Sequence, residues 1–515
     1  MGGFQGLQSL SPDKEMKIPK LWHSSLLVTS LITLNLSFNF LTKVVTAYLF
    51  GAGWEVDVYL IALAVPLFIR TVCYDAIGAV IIPLMYELKS SGPVEKLQNL
   101  KITVVSVTSI VSGVILLLGV LVNREIVLTI SPGLVGARAD LAAELTQILM
   151  ISTSIFLVTG VFIVFLYFER RFLYPHLVIL IQPILIITFG FLFTPVWGIK
   201  SLAIGQLVGS VIQALILIPF SQQGLIKSGL VRFEKTFMYR FLKQTPLAAI
   251  SLLPLPFVPI VDRYFTSSFP EGSISYISYS WTITVAISAV MARGISTVLL
   301  PHFSDMTHRD PDGLRQSIGQ IVRFFLYFST PLVVTLLLVR KPFVELLLVR
   351  GSFTYVDAES VAALMCWHLI GVLGLSVFQI VSRVYYSLSY FRLSAVFGAL
   401  FLVGYPGITY ICGSVWGLSG IAIGNMLAWI SLTLLVLYAL HVKRILIDLA
   451  QMGNLFLKVL VSSCIAFYTT RWVMELWKAP SNVLDIVLTG LVVAVVYGLV
   501  SAVLLRVYSG AGLWK

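Results

Sequence analysis

Charge, cysteine and long polar stretches are what this 515-residue chain has little of. Only 11% of its residues are charged against 58% hydrophobic, and the mean hydropathy is +0.96. So little charge cannot cover a water-soluble surface, which excludes an ordinary soluble globule. The four cysteines, Cys73, Cys366, Cys412 and Cys464, lie inside apolar segments without CxxC or Cys/His spacing. That pattern argues against a disulfide framework and a metal site and predicts small buried hydrophobes. The six histidines (His23, His176, His302, His308, His368 and His441) are scattered without triad or metal spacing, and no cofactor is expected. Polar links reach only about twenty residues, whereas an enzyme working at a membrane surface wants carboxylates or an activated histidine on a sizeable loop. A membrane glycosyltransferase is therefore the weakest reading. Met1 to Lys20 also lacks the apolar stretch and small-residue site of a cleavable signal peptide.

What is present is a succession of about fourteen apolar segments, each long enough to cross a bilayer as a helix. Only helices or closed barrels satisfy their backbone in lipid, so the expected fold is an all-α polytopic membrane protein. An even number of spans puts both termini on one side. Lysine and arginine are concentrated in the segments on that side, which predicts cytoplasmic termini. The net charge of +12 is then a topology signal with some affinity for anionic membrane lipid, not a nucleic-acid footprint.

An internal repeat organises the spans. Trp197-Gly198 followed by Ala203-Ile204-Gly205 returns as Trp416-Gly417 followed by Ala422-Ile423-Gly424, and Ile81-Ile82-Pro83 is echoed by Leu299-Leu300-Pro301 at nearly the same offset. The expected units are a cytoplasmic N-terminal segment 1–23, an N-lobe of six spans 24–222, a cytoplasmic linker 223–239, a C-lobe of six spans 240–442, and 443–515 with two further spans and a cytoplasmic tail. A transporter built from two such halves keeps its substrate site between them, near the membrane midplane.

Polar groups inside the spans mark that cleft, because each costs at least a few kcal/mol there unless it meets water or a partner. Asn35, Asn39 and Lys43 recur every four residues and share a helix face. Pro66 predicts a kink one turn before Arg70, whose guanidinium suits a phosphate or pyrophosphate. Asp75 pairs with Arg70 or, across the repeat, with Arg293 as a gate. Arg383 lies within a later span, either lining the cleft or snorkelling, and Asp262, beside Arg263, is a candidate for a coupling cation.

Particular motifs carry a family resemblance. Phe50-Gly51-Ala52-Gly53, Asp57, Pro66, Arg70, Asp75 and Pro83 resemble the first two spans of the MurJ/MviN lipid II flippases. Gly272-Ser273, Leu299-Leu300-Pro301 and Ser304, the loop Gly351, Phe353, Thr354 and Asp357, the run Tyr385-Tyr386-Ser387 and Trp416-Gly417 match further. The resemblance spans roughly residues 25 to 440. It implies the MOP superfamily, with a MATE-like arrangement of two lobes around a cationic cavity and two C-terminal helices forming a groove for a polyprenyl tail. It implies a bacterial inner-membrane protein that flips an undecaprenyl-pyrophosphate-linked saccharide of cell-wall synthesis from the cytoplasmic to the periplasmic leaflet by alternating access. Na+, H+ or the membrane potential would drive it, cell-envelope synthesis proteins would be partners, and Asp57 and Arg70 carry over as functional positions.

The departures are arginines. Leu36, Thr42 and Thr282 stand where the family has them, and Lys43 stands where it has an acid. Compensation by Lys43, Arg293 and Arg383 would suit another lipid-linked glycan, such as an exopolysaccharide or O-antigen unit. A drug or cation antiporter of the same superfamily is a further alternative.

Overall fold

The computed structural model describes residues 18–91, 94–221, 239, 245–246, 249–309, 311–387, 390–443, 449–476 and 481–506, apart from some side chains, notably those of 18–29 and 293–317. The N-terminal half is built from α1 (Ile18–Phe50), α2 (Trp54–Ser91), α3 (Val94–Leu121), the short α4 (Asn123–Ile130), α5 (Ala137–Phe168), α6 (Leu173–Ile179), α7 (Ile181–Trp197) and α8 (Lys200–Ser221). The second half comprises α9 (Pro254–Thr266), α10 (Ser273–Arg309), α11 (Pro311–Leu338), the short α12 (Arg340–Leu348), α13 (Tyr355–Ser387) and α14 (Phe391–Val442), followed by α15 (Leu449–Leu476) and α16 (Asn482–Arg506).

Ten helices among the described residues are long and apolar enough to cross a membrane. One of them, α14, holds two of the expected segments, because its helical backbone breaks at Gly417. The apolar segments expected around α1, α9 and α15 are helical as well. Helix is the outcome because the residues are apolar on all sides and an α-helix satisfies its own backbone without water. The hydroxyls obey the same rule: Thr46, Thr146 and Thr330, among others, donate to the carbonyl four residues earlier.

The repeat is visible in three dimensions. In the first half α2 packs on α5, α5 on α8 and α7 on α8; in the second α10 packs on α13, α13 on α14, and the two arms of α14 stand for α7 and α8. Gly198 (φ 54°, ψ −139°) and Gly417 (φ 60°, ψ −138°) end the equivalent helices in one backbone conformation that a side chain disfavours. Even the short helices correspond, α4 preceding Gly136 and α5 as α12 precedes Gly351 and α13. The result is two lobes, with α15 and α16 packed on each other and on α11.

Two expectations concern particular residues. α2 runs through Pro66 as continuous helix, and Thr153 on α5 donates to the Pro66 carbonyl (3.4 Å). The four cysteines are free as expected, but only Cys412 is buried, and Cys464 is exposed.

Candidate functional site

The lobes are joined at one end of the cleft by a contact centred on Asp57. Its carboxylate, on the first turn of α2, accepts hydrogen bonds from the Gly272 N–H (2.7 Å), the Ser275 N–H (2.7 Å) and the Ser275 hydroxyl (2.5 Å). An acid from the N-lobe thereby caps the first turn of α10 in the C-lobe, where free N–H groups and the helix dipole favour negative charge. The adjoining turn adds backbone contacts: the Ser352 N–H donates to the Tyr48 carbonyl (2.9 Å), the Ser352 hydroxyl to the Leu49 carbonyl (3.1 Å) and the Tyr279 hydroxyl to the Gly51 carbonyl (3.0 Å). Gly351 and Gly272 are required by this approach, since a Cβ at either would collide with the facing Tyr48 or Ala52 carbonyl. Arg138 and Glu271 close the rim with an exposed ion pair of 2.6 Å.

The Gly351-x-Phe353-Thr354-x-x-Asp357 motif has a local cause. Thr354 and Asp357 form a reciprocal cap on α13, with the Thr354 N–H and hydroxyl both 2.8 Å from the Asp357 carboxylate and the Asp357 N–H 3.2 Å from the Thr354 hydroxyl. Phe353 is buried beneath it, and the Tyr276 hydroxyl donates to the second carboxylate oxygen (2.9 Å).

Further along α2, Arg70 turns into the N-lobe. Its guanidinium lies 3.6 Å from the centroid of the Phe156 ring and donates to Gln182 Oε1 at 2.6 Å. Gln182 in turn donates to the Ser210 hydroxyl (3.0 Å), which pairs with Ser152 (2.7 Å). The sequence reading took Arg70 as a cleft-facing anion anchor or as the partner of Asp75. In the structure it is half-buried and engaged within one lobe, because an aromatic face and an amide oxygen satisfy a guanidinium in a low-dielectric interior.

Asp75 is exposed, and the cation whose field reaches it is Arg383 on α13, also exposed, with no ion pair between them. Arg293 lies outside the described side chains, so its expected pairing with Asp75 does too.

The stripe on α1 divides. Asn35 is buried and donates to the Leu31 and His176 carbonyls (3.0 and 3.1 Å), tying α1 to α6. Asn39 is exposed and donates to the Asn35 carbonyl (2.8 Å), while Lys43 reaches a cavity between the lobes. That cavity, about 210 Å³, is also lined by Asp262, Arg263 and Thr282.

Asp262 is buried and accepts a hydrogen bond from the Tyr405 hydroxyl, which accepts one from Asn425 (3.3 Å). Thr409 Oγ1 and Asn425 Oδ1 are buried without a hydrogen-bond partner. Among the described residues no group of histidine, cysteine and acid side chains could hold a metal ion.

The sequence reading missed Tyr405, Asn425, Gln182, Tyr276 and Ser275. Each lies far along the chain from the residue it serves, and only the i to i+3 spacing of Thr354 and Asp357 carried a local signal.

Two lobes of repeated helical topology, joined at one end of a polar cleft, define a multi-pass membrane protein with the fold of MOP-superfamily transporters. A solved structure described as an inward-facing multidrug resistance MATE family transporter of that superfamily covers 82% of this chain and 98% of its own at a TM-score of 0.68 and 15% identity. One described as lipid II flippase MurJ in an inward closed conformation covers 93% and 99% at a TM-score of 0.79 and 22% identity. The family model of lipid II flippase MurJ matches residues 46–492, and the chain belongs to that family. Among relatives, a probable lipid II flippase MurJ of Bdellovibrio bacteriovorus is 26% identical over 72% of this chain and 73% of its own length. Another, of Vibrio cholerae, is 24% identical over 81% and 82%. Membership makes the chain a transporter rather than an enzyme.

Proposed function

We propose that this chain moves lipid II, or a close polyprenyl-pyrophosphate-linked analogue, from the cytoplasmic to the periplasmic leaflet of a bacterial inner membrane by alternating access. The observation that carries the reading, beyond family, is a cleft between two lobes that is latched at the Asp57 end and unpaired at Asp75 and Arg383. With both termini cytoplasmic, and lobes bounded at 24–222 and 240–442, the latched end is periplasmic and the cleft is offered to the leaflet where the lipid is made.

In this cycle Asp57 is the outer gate. Asp75 and Arg383 close the inner one when substrate is aboard, with Arg383 in the place first given to Arg293. Asn35, Asn39 and Arg70 shape the N-lobe wall rather than grip the headgroup. Asp262 is the coupling position: its buried carboxylate, linked through the Tyr405 hydroxyl to Asn425, suits a proton or Na+. Membrane lipid surrounds the tail, and cell-envelope synthesis proteins are the natural partners.

The test is transport in vesicles containing the purified chain and fluorescent lipid II, with a membrane-impermeant quencher reporting the leaflet. Protein-dependent movement of lipid of unchanged mass is expected. Lipid that stays in its leaflet would overturn the reading, and a new product mass would turn it towards an enzyme. A second reading, a flippase for another lipid-linked saccharide, is favoured by Thr282, which lines the cavity where the family has an arginine. Running lipid II and such a glycan in parallel distinguishes the two.

A further inference from the structure

Away from the cleft, cations gather where α5 hands over to α6. α5 ends at Phe168, and Glu169, Arg170, Arg171 and Phe172 link it to Leu173 at the start of α6. Lys89 of α2 and Lys101 of α3 reach the same helix end, their ammonium groups 5.5 and 6.0 Å from the centroid of the Phe168 ring. Glu169 is shared between Lys101 (3.2 Å) and Arg171 (3.8 Å), so the corner keeps a surplus of positive charge. Arg170 is exposed and makes no ion pair among the described residues. Its N–H donates to the Tyr167 carbonyl (3.0 Å) and the Arg171 N–H to the Leu166 carbonyl (2.9 Å), the pattern that ends a helix on a left-handed residue. Glycine usually fills that position, but here an arginine holds it at φ 60°, the one non-glycine with a positive φ among the described residues. The side chain is not needed as a cap. The Glu169 N–H donates to the Phe165 carbonyl (3.0 Å) and the Tyr86 hydroxyl to the Phe168 carbonyl (3.4 Å), so the last carbonyls of α5 already have donors. A strained arginine that caps nothing is explained by a ligand of its guanidinium.

We propose that this corner is a docking site for an anionic phospholipid of the surrounding membrane, with Arg170 and Arg171 on the headgroup phosphate. Charge complementarity sets the sign of the partner, and the neighbouring side chains set its kind. The link joins the spans Ala137–Phe168 and Leu173–Trp197, so it lies at the height of the headgroups. Phe172, Leu173 and Leu177 follow the arginines and are 40, 47 and 47% exposed, which offers acyl chains an apolar wall directly beneath the cations. A soluble acidic partner would leave that wall uncovered. Lys89 and Lys101, held over aromatic rings, widen the positive surface without competing for the phosphate. With both termini cytoplasmic, the lipid belongs to the cytoplasmic leaflet. The inference goes beyond the transport reading and does not depend on what the cleft carries. A lipid held here moors the start of α6, whose His176 carbonyl is already bonded to Asn35 of α1, and so ties the wall of the N-lobe to the headgroup plane.

The test uses the full chain in neutral detergent, titrated separately with phosphatidylglycerol, with phosphatidylcholine and with inorganic phosphate. Binding is read by native mass spectrometry and by thermal shift. Phosphatidylglycerol should bind and raise the melting temperature, less so as salt is added, and phosphatidylcholine should do neither. Each cation removed should weaken phosphatidylglycerol binding about fivefold, so Arg170→Gly with Arg171→Gln should lose about twenty-five-fold. Arg170→Lys should retain most of the binding, and Lys341→Gln, at a surface ion pair with Glu359, should leave it unchanged. Arg170→Gly alone separates binding from folding. Without lipid it should melt at or above the wild-type temperature, because glycine relieves the left-handed strain, and with phosphatidylglycerol it should gain less than the wild type. Unaltered phosphatidylglycerol affinity in the double variant would overturn the site. Equal affinity for phosphatidylcholine would overturn it too, since the apolar wall alone would then be recognised. A lower melting temperature of Arg170→Gly without lipid would make the arginine a structural residue, and a shift with inorganic phosphate but none with phosphatidylglycerol would remove the lipid as its occupant.

Discussion

At the scale of single residues, Asp57 makes the sharpest case. Its carboxylate holds three donors of the opposite lobe, two of them backbone N–H groups at the start of α10. Asp57→Asn keeps the size but loses the charge-assisted character of those bonds, so the latch should weaken by roughly 1.5–3 kcal/mol. Spin labels at Val135 and Ser268, which flank the joined rim, should then show a longer and broader distance distribution than in the wild type. An unchanged distribution would mean that the closure does not depend on this carboxylate. Asp57, Lys43 and Asp262 were all legible as polar groups that an apolar segment does not carry without reason. Their partners were not: Gln182 lies 112 positions from Arg70, and Tyr405 143 from Asp262. Nothing local in the sequence links such pairs, and a guanidinium that could serve a ligand was therefore assigned to one.

At the scale of elements, the duplicated Trp-Gly turn is the clearest agreement between the printed chain and its shape. Gly198 and Gly417 share one backbone conformation, with φ of 54° and 60° and ψ of −139° and −138°. Neither has a close neighbour: a Cβ would meet nothing within 4 Å at Gly198 and only Phe269 at an ordinary 3.7 Å at Gly417. The cost of Gly→Ala there is therefore one of backbone alone. It should be alike at the two sites, about 1–3 kcal/mol each. Parallel thermal unfolding of Gly198→Ala and Gly417→Ala checks this, and a harmless change at one site with a severe one at the other would break the equivalence. Span positions were legible because hydrophobic length is a strong signal. The hydrogen bond from Thr153 to the Pro66 carbonyl was not, because the two residues lie 87 positions apart.

At the scale of the whole molecule, the distribution of lysine and arginine argues for cytoplasmic termini. Cysteines placed at Gln5 and at Ser509, in a variant with its four native cysteines replaced, should resist an impermeant thiol reagent in intact cells and react once the cells are opened. Labelling from outside would reverse the topology, and with it the assignment of inner and outer gates. The two-lobe plan was readable from the repeat, whereas the state of the cleft was not. Which end is joined depends on contacts such as Ser352 with Tyr48 that the same sequence must also be able to release.

That joined end is made largely of main-chain atoms: the carbonyls of Tyr48, Leu49 and Gly51, and the amides of Gly272, Ser275 and Ser352. Beneath them lies one apolar cluster shared by the two lobes, with Ala52 and Val56 from one and Ile274, Tyr279 and Phe353 from the other, so the seam has a polar and an apolar part. Where water reaches the separating rim it can take each vacated donor and acceptor, and the net loss per bond falls to about 0.5–1.5 kcal/mol. The polar part of the seam then contributes only a few such bonds to the difference between joined and parted forms. A switch between near-equal states needs only a modest differential affinity to tip it, which a pair of phosphoryl contacts is able to supply.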